Sequence, residues 1–196
     1  MKKTNFVRTF VSKDQYKEKE EREGVCIVHL DGVLNEELGA YECVECSMPV
    51  GEYSEAAVNE AYAAWKVATA NRRLAQAKRE VLKKIDAYDT SPAVNGFYLN
   101  GECVWLDFEL RDRVYQGNER LQRIGRTDTT LWLGKQCYNL SIEQAQNIIS
   151  HIEAYAKDCY NVTAAHKKAV SELTSIEEVE KYDITAGYPA QLRMEV

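Results

Sequence analysis

Four side chains near the start of the chain have the types and spacing of a metal site. Cys26 and His29 lie three apart, and so do Cys43 and Cys46. Two such pairs could hold a structural zinc, provided all four side chains converge on one point. The segments carrying them argue against convergence. Val25-Cys26-Ile27-Val28-His29-Leu30 is short and rich in β-branched residues, and Ala40-Tyr41-Glu42-Cys43-Val44-Glu45-Cys46 alternates well enough to be its partner strand. On a strand, side chains three apart point to opposite faces. Neither pair has the Gly or Pro of a tight knuckle, so the cysteines are expected to be buried thiols. Neither a metal nor any other cofactor is expected.

Other patterns come close to chemistry and stop short of it. Ile27-Val28-His29-Leu30-Asp31-Gly32-Val33-Leu34 imitates the phosphatase motif of haloacid-dehalogenase-like enzymes, which need an aspartate nucleophile two residues before the Asp-Gly. His29 occupies that position and cannot form the aspartyl-phosphate, so Asp31-Gly32 reads as a turn. Cys159 and His166 share a helix face but stand about 10 Å apart along its axis, too far to act as a nucleophile and base. His151 reads as an ordinary helix residue. No Gly-x-Gly or Gly-Lys-Ser/Thr phosphate loop occurs. Arg111, Arg113, Arg120, Arg123 and Arg126 are interleaved with Glu109, Asp112 and Glu119, the pattern of a solvated face with local ion pairs. Phe97, Tyr98, Trp105 and Trp132 fall on strands and read as sheet core rather than a base-stacking platform. No catalytic residue emerges, and the chain is expected not to be an enzyme.

The elements that must position these residues can be read in order. Ser12 to Gly24 is polar and charge-rich and reads as a loop or partly mobile segment, followed by the hairpin of residues 25–46. Pro49 and Gly51 break the chain. A long alanine-rich helix is expected from about Glu55 to Ala87, with Ser54 as N-cap, acidic residues at its start and Lys78, Arg79, Lys83 and Lys84 near its end. Val58, Ala61, Tyr62 and Trp65 cover its first turns. Val67, Ala70, Leu74, Ala77, Val81, Ile85 and Tyr88 then follow the three-four alternation of a coiled-coil seam. This stripe is the expected interaction surface, for a partner or for a second copy. The competing reading packs it on the chain's own N-terminal hairpin.

Pro92 ends the helix, and the domain boundary is placed there, giving expected domains at 1–87 and 88–196. Residues 96–106 read as strand, Asn100-Gly101 turn and strand, since a type I′ hairpin needs positive φ at both central residues. Asp107 caps a helix to about Arg123. A second hairpin spans residues 129–140 about Gly134-Lys135. Ser141-Ile142-Glu143-Gln144 and Thr174-Ser175-Ile176-Glu177 are read as capping boxes, opening a long and a short helix. The tail after Gly187 reads as irregular. The expected class is α+β: an N-terminal hairpin and long helix, then two antiparallel hairpins packed with helices. The C-terminal half is expected to fold alone from residue 88.

Composition narrows the setting. The chain has 196 residues, with 25 basic and 31 acidic, a net charge of −6. That disfavours a dedicated nucleic-acid binder. The N-terminus has no signal-like apolar run, and no stretch is long enough to span a membrane, so a soluble protein is expected. Six cysteines without an export signal read as reduced thiols, and the sequons at Asn139 and Asn161 carry no meaning without export.

A resemblance covers the second half. Its residues are Asp89-x-Ser91-x-Ala93-Val94-Asn95-x-Phe97; Trp105-Leu106-Asp107 with Arg111; Thr129-Thr130-Leu131-Trp132-Leu133-Gly134; Tyr155-Ala156-x-Asp158-Cys159-Tyr160-Asn161-Val162-Thr163; and Tyr182-Asp183-x-Thr185-Ala186-Gly187-Tyr188-Pro189. In order and spacing, residues 88–189 resemble a phage and prophage domain family of unknown function found beside tail-fibre genes. That resemblance implies a setting and transfers no catalytic residue. The implied role is a tail-fibre assembly chaperone or accessory, with a tail-fibre or other virion protein as partner, in the host bacterial cytoplasm during assembly. The alternatives are a structural component retained in the virion, or a small regulatory or zinc-binding phage protein.

Overall fold

Cys26, Val28 and Leu30 alternate along one strand and Val44, Cys46 and Met48 along the next, and these apolar sets seed an N-terminal sheet. The computed structural model describes residues 4–196. Four strands occupy the N-terminal part: β1 (Asn5–Ser12), β2 (Lys19–Arg22), β3 (Val25–Asn35) and β4 (Ala40–Pro49). They form one antiparallel sheet in the order β1-β4-β3-β2. The expected two-stranded hairpin is therefore its central pair, flanked by two strands not foreseen. β2 lies within the segment read as a loop. β3 does not turn at Asp31-Gly32 but runs through it with a bulge, where the register shifts between Leu30 and Val33 and Asp31 takes a φ of 52°. A side chain at residue 32 would overlap the Tyr16 hydroxyl and displace that ring.

Helix α1 (Glu55–Asp89) follows a single 3-10 turn. The chain divides inside this helix into two compact units, one ending at Arg73 and the other beginning at Leu74. In the first unit, the opening turns of α1 lay Tyr62, Ala61 and Trp65 against Phe6, Leu30, Val44, Cys46 and Met48. In the second, Val81 and Ile85 are buried with Val170 and Val179, and Leu74, Ala77 and Leu82 pack against that cluster. The expected limit at residue 87 thus lies within the second unit, because the last turns of α1 supply part of that unit's core.

The second unit continues with β5 (Phe97–Leu99), β6 (Glu102–Val104), α2 (Phe108–Arg123), β7 (Asp128–Leu133), β8 (Gln136–Ser141), α3 (Ile142–Glu172), α4 (Ile176–Glu180) and β9 (Arg193–Met194). Both expected hairpins form, and Asn100 and Gly101 have the positive φ of the type I′ turn. Ser141 and Gln144 form the expected capping box of α3. The second box lies one residue later than expected, between Ser175 and Glu178. The tail is not wholly irregular: β9 pairs in parallel with β5, giving a three-stranded sheet in the order β6-β5-β9. The main core joins Phe97, Leu99, Leu106, Leu131, Leu133 and Leu140 to one face of α3. Among the described residues, no helix is long and apolar enough to cross a membrane.

Candidate functional site

Strand alternation decides the fate of the four metal-type residues. Cys26, Val28, Val44, Cys46 and Phe6 share the sheet face that α1 covers, as the pairs Val28↔Cys46 and Phe6↔Cys46 require. His29 and Cys43 lie on the opposite face, His29 beside Glu45 and Cys43 beside Thr9. The sheet thus separates the proposed ligands into two pairs, one on each side. Among the described residues, no three His, Cys, Asp or Glu side chains are grouped as a metal ion would require. Burial raises the Cys43 and Cys46 thiols above their ordinary pKa, which disfavours the thiolate that a metal or an electrophile needs.

Over His29 and Tyr41, the face away from α1 is covered by the segment between β1 and β2. Tyr16 stacks on Tyr41 with ring centroids 4.0 Å apart and on His29 at 5.6 Å. His29 Nδ1 lies 2.5 Å from the Lys17 carbonyl, to which it donates, and Nε2 is 3.4 Å from Glu45 Oε2. The Lys17 contact fixes the ring through Nδ1, and Nε2 bonds Glu45 only when the ring is doubly protonated. Asp31, from the phosphatase-like stretch, accepts a hydrogen bond from the buried Tyr62 hydroxyl at 2.7 Å and has Lys66 Nζ at 3.6 Å. It ties the β3 bulge to the first unit's helix. Burial and the Asp31 contact push the Tyr62 pKa up to about 12.

The expected interaction stripe is divided between environments. Val67 is 63% exposed, and Ala70 is exposed. Leu74 and Ala77 are half-buried, Val81 is buried and Ile85 is fully buried in the second unit. The stripe as one continuous interface is corrected. Its lower half packs on the end of α3 and on α4, and only the Val67–Ala70 turn lies bare. The competing reading also changes, because the cover comes from C-terminal helices and not from the N-terminal hairpin.

A polar cluster in the second unit escaped the motif reading. His166, on α3, has Nδ1 2.8 Å from the Tyr182 hydroxyl and Nε2 2.8 Å from the Ala186 carbonyl. The carbonyl can only accept, so Nε2 carries the proton and Nδ1 accepts from Tyr182. One turn away, the Thr163 hydroxyl donates to Asp89 Oδ1 at 2.7 Å, and the Tyr188 hydroxyl donates to Thr163 Oγ1 at 2.8 Å. Tyr155 donates to the Val94 carbonyl at 3.0 Å. Burial raises the pKa of Tyr155, Tyr182, Tyr188 and Cys159. These groups clasp residues 182–188 to α3 and to the end of α1, with no open reacting position among them. Asp89, Thr163, Tyr182 and Tyr188 are scattered along the sequence with no motif spacing, and only the fold brings them together.

Two further expectations change. Arg111 is not on a solvated face: it is buried, with Nε 2.7 Å from Glu153 Oε2 and Nη1 2.6 Å from the Leu106 carbonyl. Arg113, Arg120, Arg123 and Arg126 are exposed as read. Phe97 is core, but Trp132 is 65% exposed, because Leu131 and Leu133 take the inner face of β7 and alternation turns Trp132 outward. No family model, curated protein or solved structure matches this chain.

Proposed function

We propose that this chain is a non-catalytic interaction protein of a phage or prophage, acting in tail-fibre assembly with a tail-fibre or other virion protein as its partner. The setting rests on the resemblance of residues 88–189. The kind of work rests on one observation: the groups able to do chemistry are turned inward and used, while apolar side chains are left outside. His166 has both ring nitrogens hydrogen-bonded, His29 is held through Nδ1 by the Lys17 carbonyl, and burial raises the thiol pKa of Cys43, Cys46 and Cys159. In contrast, Val7, Phe10, Val33 and Leu38 are exposed within one small unit, and Phe10 and Val33 flank Glu42 on one face of the sheet, apolar surface open to a partner. The protein would act in the host bacterial cytoplasm during assembly.

The test is coexpression with the fibre protein of the same phage, followed by sedimentation and mass spectrometry of purified particles. A complex during assembly and no chain in the particles is the expected result. Fibre that assembles equally well alone, with no complex formed, overturns the reading. Stoichiometric chain in the particles would assign it to the virion instead.

A further inference from the structure

We propose that β1 is a self-pairing edge, by which two copies of this chain join their N-terminal sheets into one antiparallel sheet. The inference deepens the interaction reading by naming a surface and its occupant, and it rests on that reading only for its biological use. The two edges of the four-stranded sheet are unlike. β2 is four residues long and every one is charged, Lys19-Glu20-Glu21-Arg22, which is how natural sheets discourage further pairing. β1 is eight residues long, contains no Pro or Gly, and pairs with β4 without a register shift. Its one charge, Arg8, is held by Glu42 at 3.4 Å.

Alternate residues of such a strand spend their N–H and C=O groups on β4, and the others point off the edge, where only another strand satisfies them in series. Large apolar side chains accompany them: Val7 is 51% and Phe10 59% exposed. A long, unbulged edge with exposed apolar side chains is a pairing surface.

The residues of β1 select a second copy and a register. In a symmetric antiparallel pair, residues of equal parity must face each other so that the two sheets keep a common face. Centring the pair on Arg8 would oppose two guanidinium groups. Centring it on Phe10 leaves five residues of overlap on a strand that ends at Ser12. Centring it on Thr9 sets Val7 against Val11, Thr9 against Thr9, Arg8 against Phe10 and Phe6 against Ser12. One face then carries a row of β-branched pairs, and on the other each Arg8 meets an aromatic ring. No like charges are opposed within the strand pair.

The experiment uses the full chain. Sedimentation equilibrium should show a concentration-dependent dimer forming below about 1 mM, the range accessible to weak self-association. Thr9→Lys sets two ammonium groups face to face and should weaken the dimer by roughly tenfold or more while leaving the melting transition in place. Thr9→Cys, with its cross-strand neighbour Cys43 changed to alanine and the exposed Cys103 and Cys137 changed to serine, should give a disulfide dimer on mild oxidation. Arg8→Cys in the same background should not, because Arg8 faces Phe10. A monomeric wild-type chain, or a dimer that survives Thr9→Lys without Thr9→Cys coupling, overturns the proposal. A monomer whose fibre complex is abolished by Thr9→Lys also overturns it and makes the edge a site for a foreign strand. A wild-type monomer whose Thr9→Lys variant still binds fibre removes this edge while the broader reading stands; a dimer without any fibre complex does the reverse.

Discussion

Tyr62 shows how one side chain ties a sheet defect to a helix. Its ring lies in the first unit's core with Phe6 and Trp65, and its hydroxyl donates to Asp31 at the β3 bulge. Tyr62→Phe keeps the packing and removes the hydrogen bond to a carboxylate, which should cost about 1 to 2 kcal/mol at neutral pH. The tyrosine pKa rises from 10.0 to about 12 on folding, so below pH 10 both states are protonated and the stabilisation is complete. Between pH 10 and 12 the unfolded chain ionises while the folded one does not, and stability falls as pH rises. The disadvantage of Tyr62→Phe should therefore shrink by about 1 kcal/mol at about pH 11, read from urea unfolding at both pH values. An equal disadvantage at the two values would contradict the raised pKa. Residues of this kind were half legible in the sequence. Period-two geometry placed Cys26 and His29 on opposite faces, but it could not say that Tyr16 would cover His29. Nor could it say that Arg111 would turn inward to meet Glu153, forty-two residues away.

Long elements were legible where their pattern was one-sided. α1 and α3 were expected because their apolar residues recur at helical spacing, and the Asn100-Gly101 hairpin because its turn chemistry leaves few alternatives. β1 was missed because Val7 and Val11 on one face and Phe6 and Phe10 on the other cancel the alternation. β2 was missed because its four charged residues carry no apolar signal and its pairing with β3 is a backbone matter. The α1 stripe marks the limit of periodicity: it shows that a face is apolar and leaves open what covers it. Ile85→Ala should cost about 2 to 5 kcal/mol, because it opens a cavity between Val81, Val170 and Val179. Val67→Asp should cost under about 1 kcal/mol, as expected for an exposed helix position. Thermal unfolding of the two variants distinguishes them, and equal losses would show that α1 is buried along its whole stripe.

At the scale of the whole chain, the division between Arg73 and Leu74 changes which piece should fold alone. A fragment of residues 74–196 retains Leu74, Ala77, Val81 and Ile85 and should melt cooperatively. One beginning at residue 88 uncovers Val170 and Val179, and the loss of two buried aliphatic side chains should weaken it by on the order of 5 kcal/mol. Calorimetry that finds the two fragments equally stable would restore the later boundary. The parallel pairing of β9 with β5 has a consequence in time. The Tyr98 amide donates to the Leu192 carbonyl at 2.8 Å and the Asn100 amide to the Met194 carbonyl at 3.0 Å, so these bonds close a loop holding most of the second unit. Helices and hairpins form within microseconds, whereas distant strand pairings must first overcome the entropy of closure. Refolding should therefore pass through molecules in which α2 and both hairpins are already built while the edge of β5 is still bare. During that interval the chain is open to misassociation with its neighbours. In pulse-labelled hydrogen exchange, the Tyr98 and Asn100 amides should gain protection after those of α2, the final stitch in an otherwise local build.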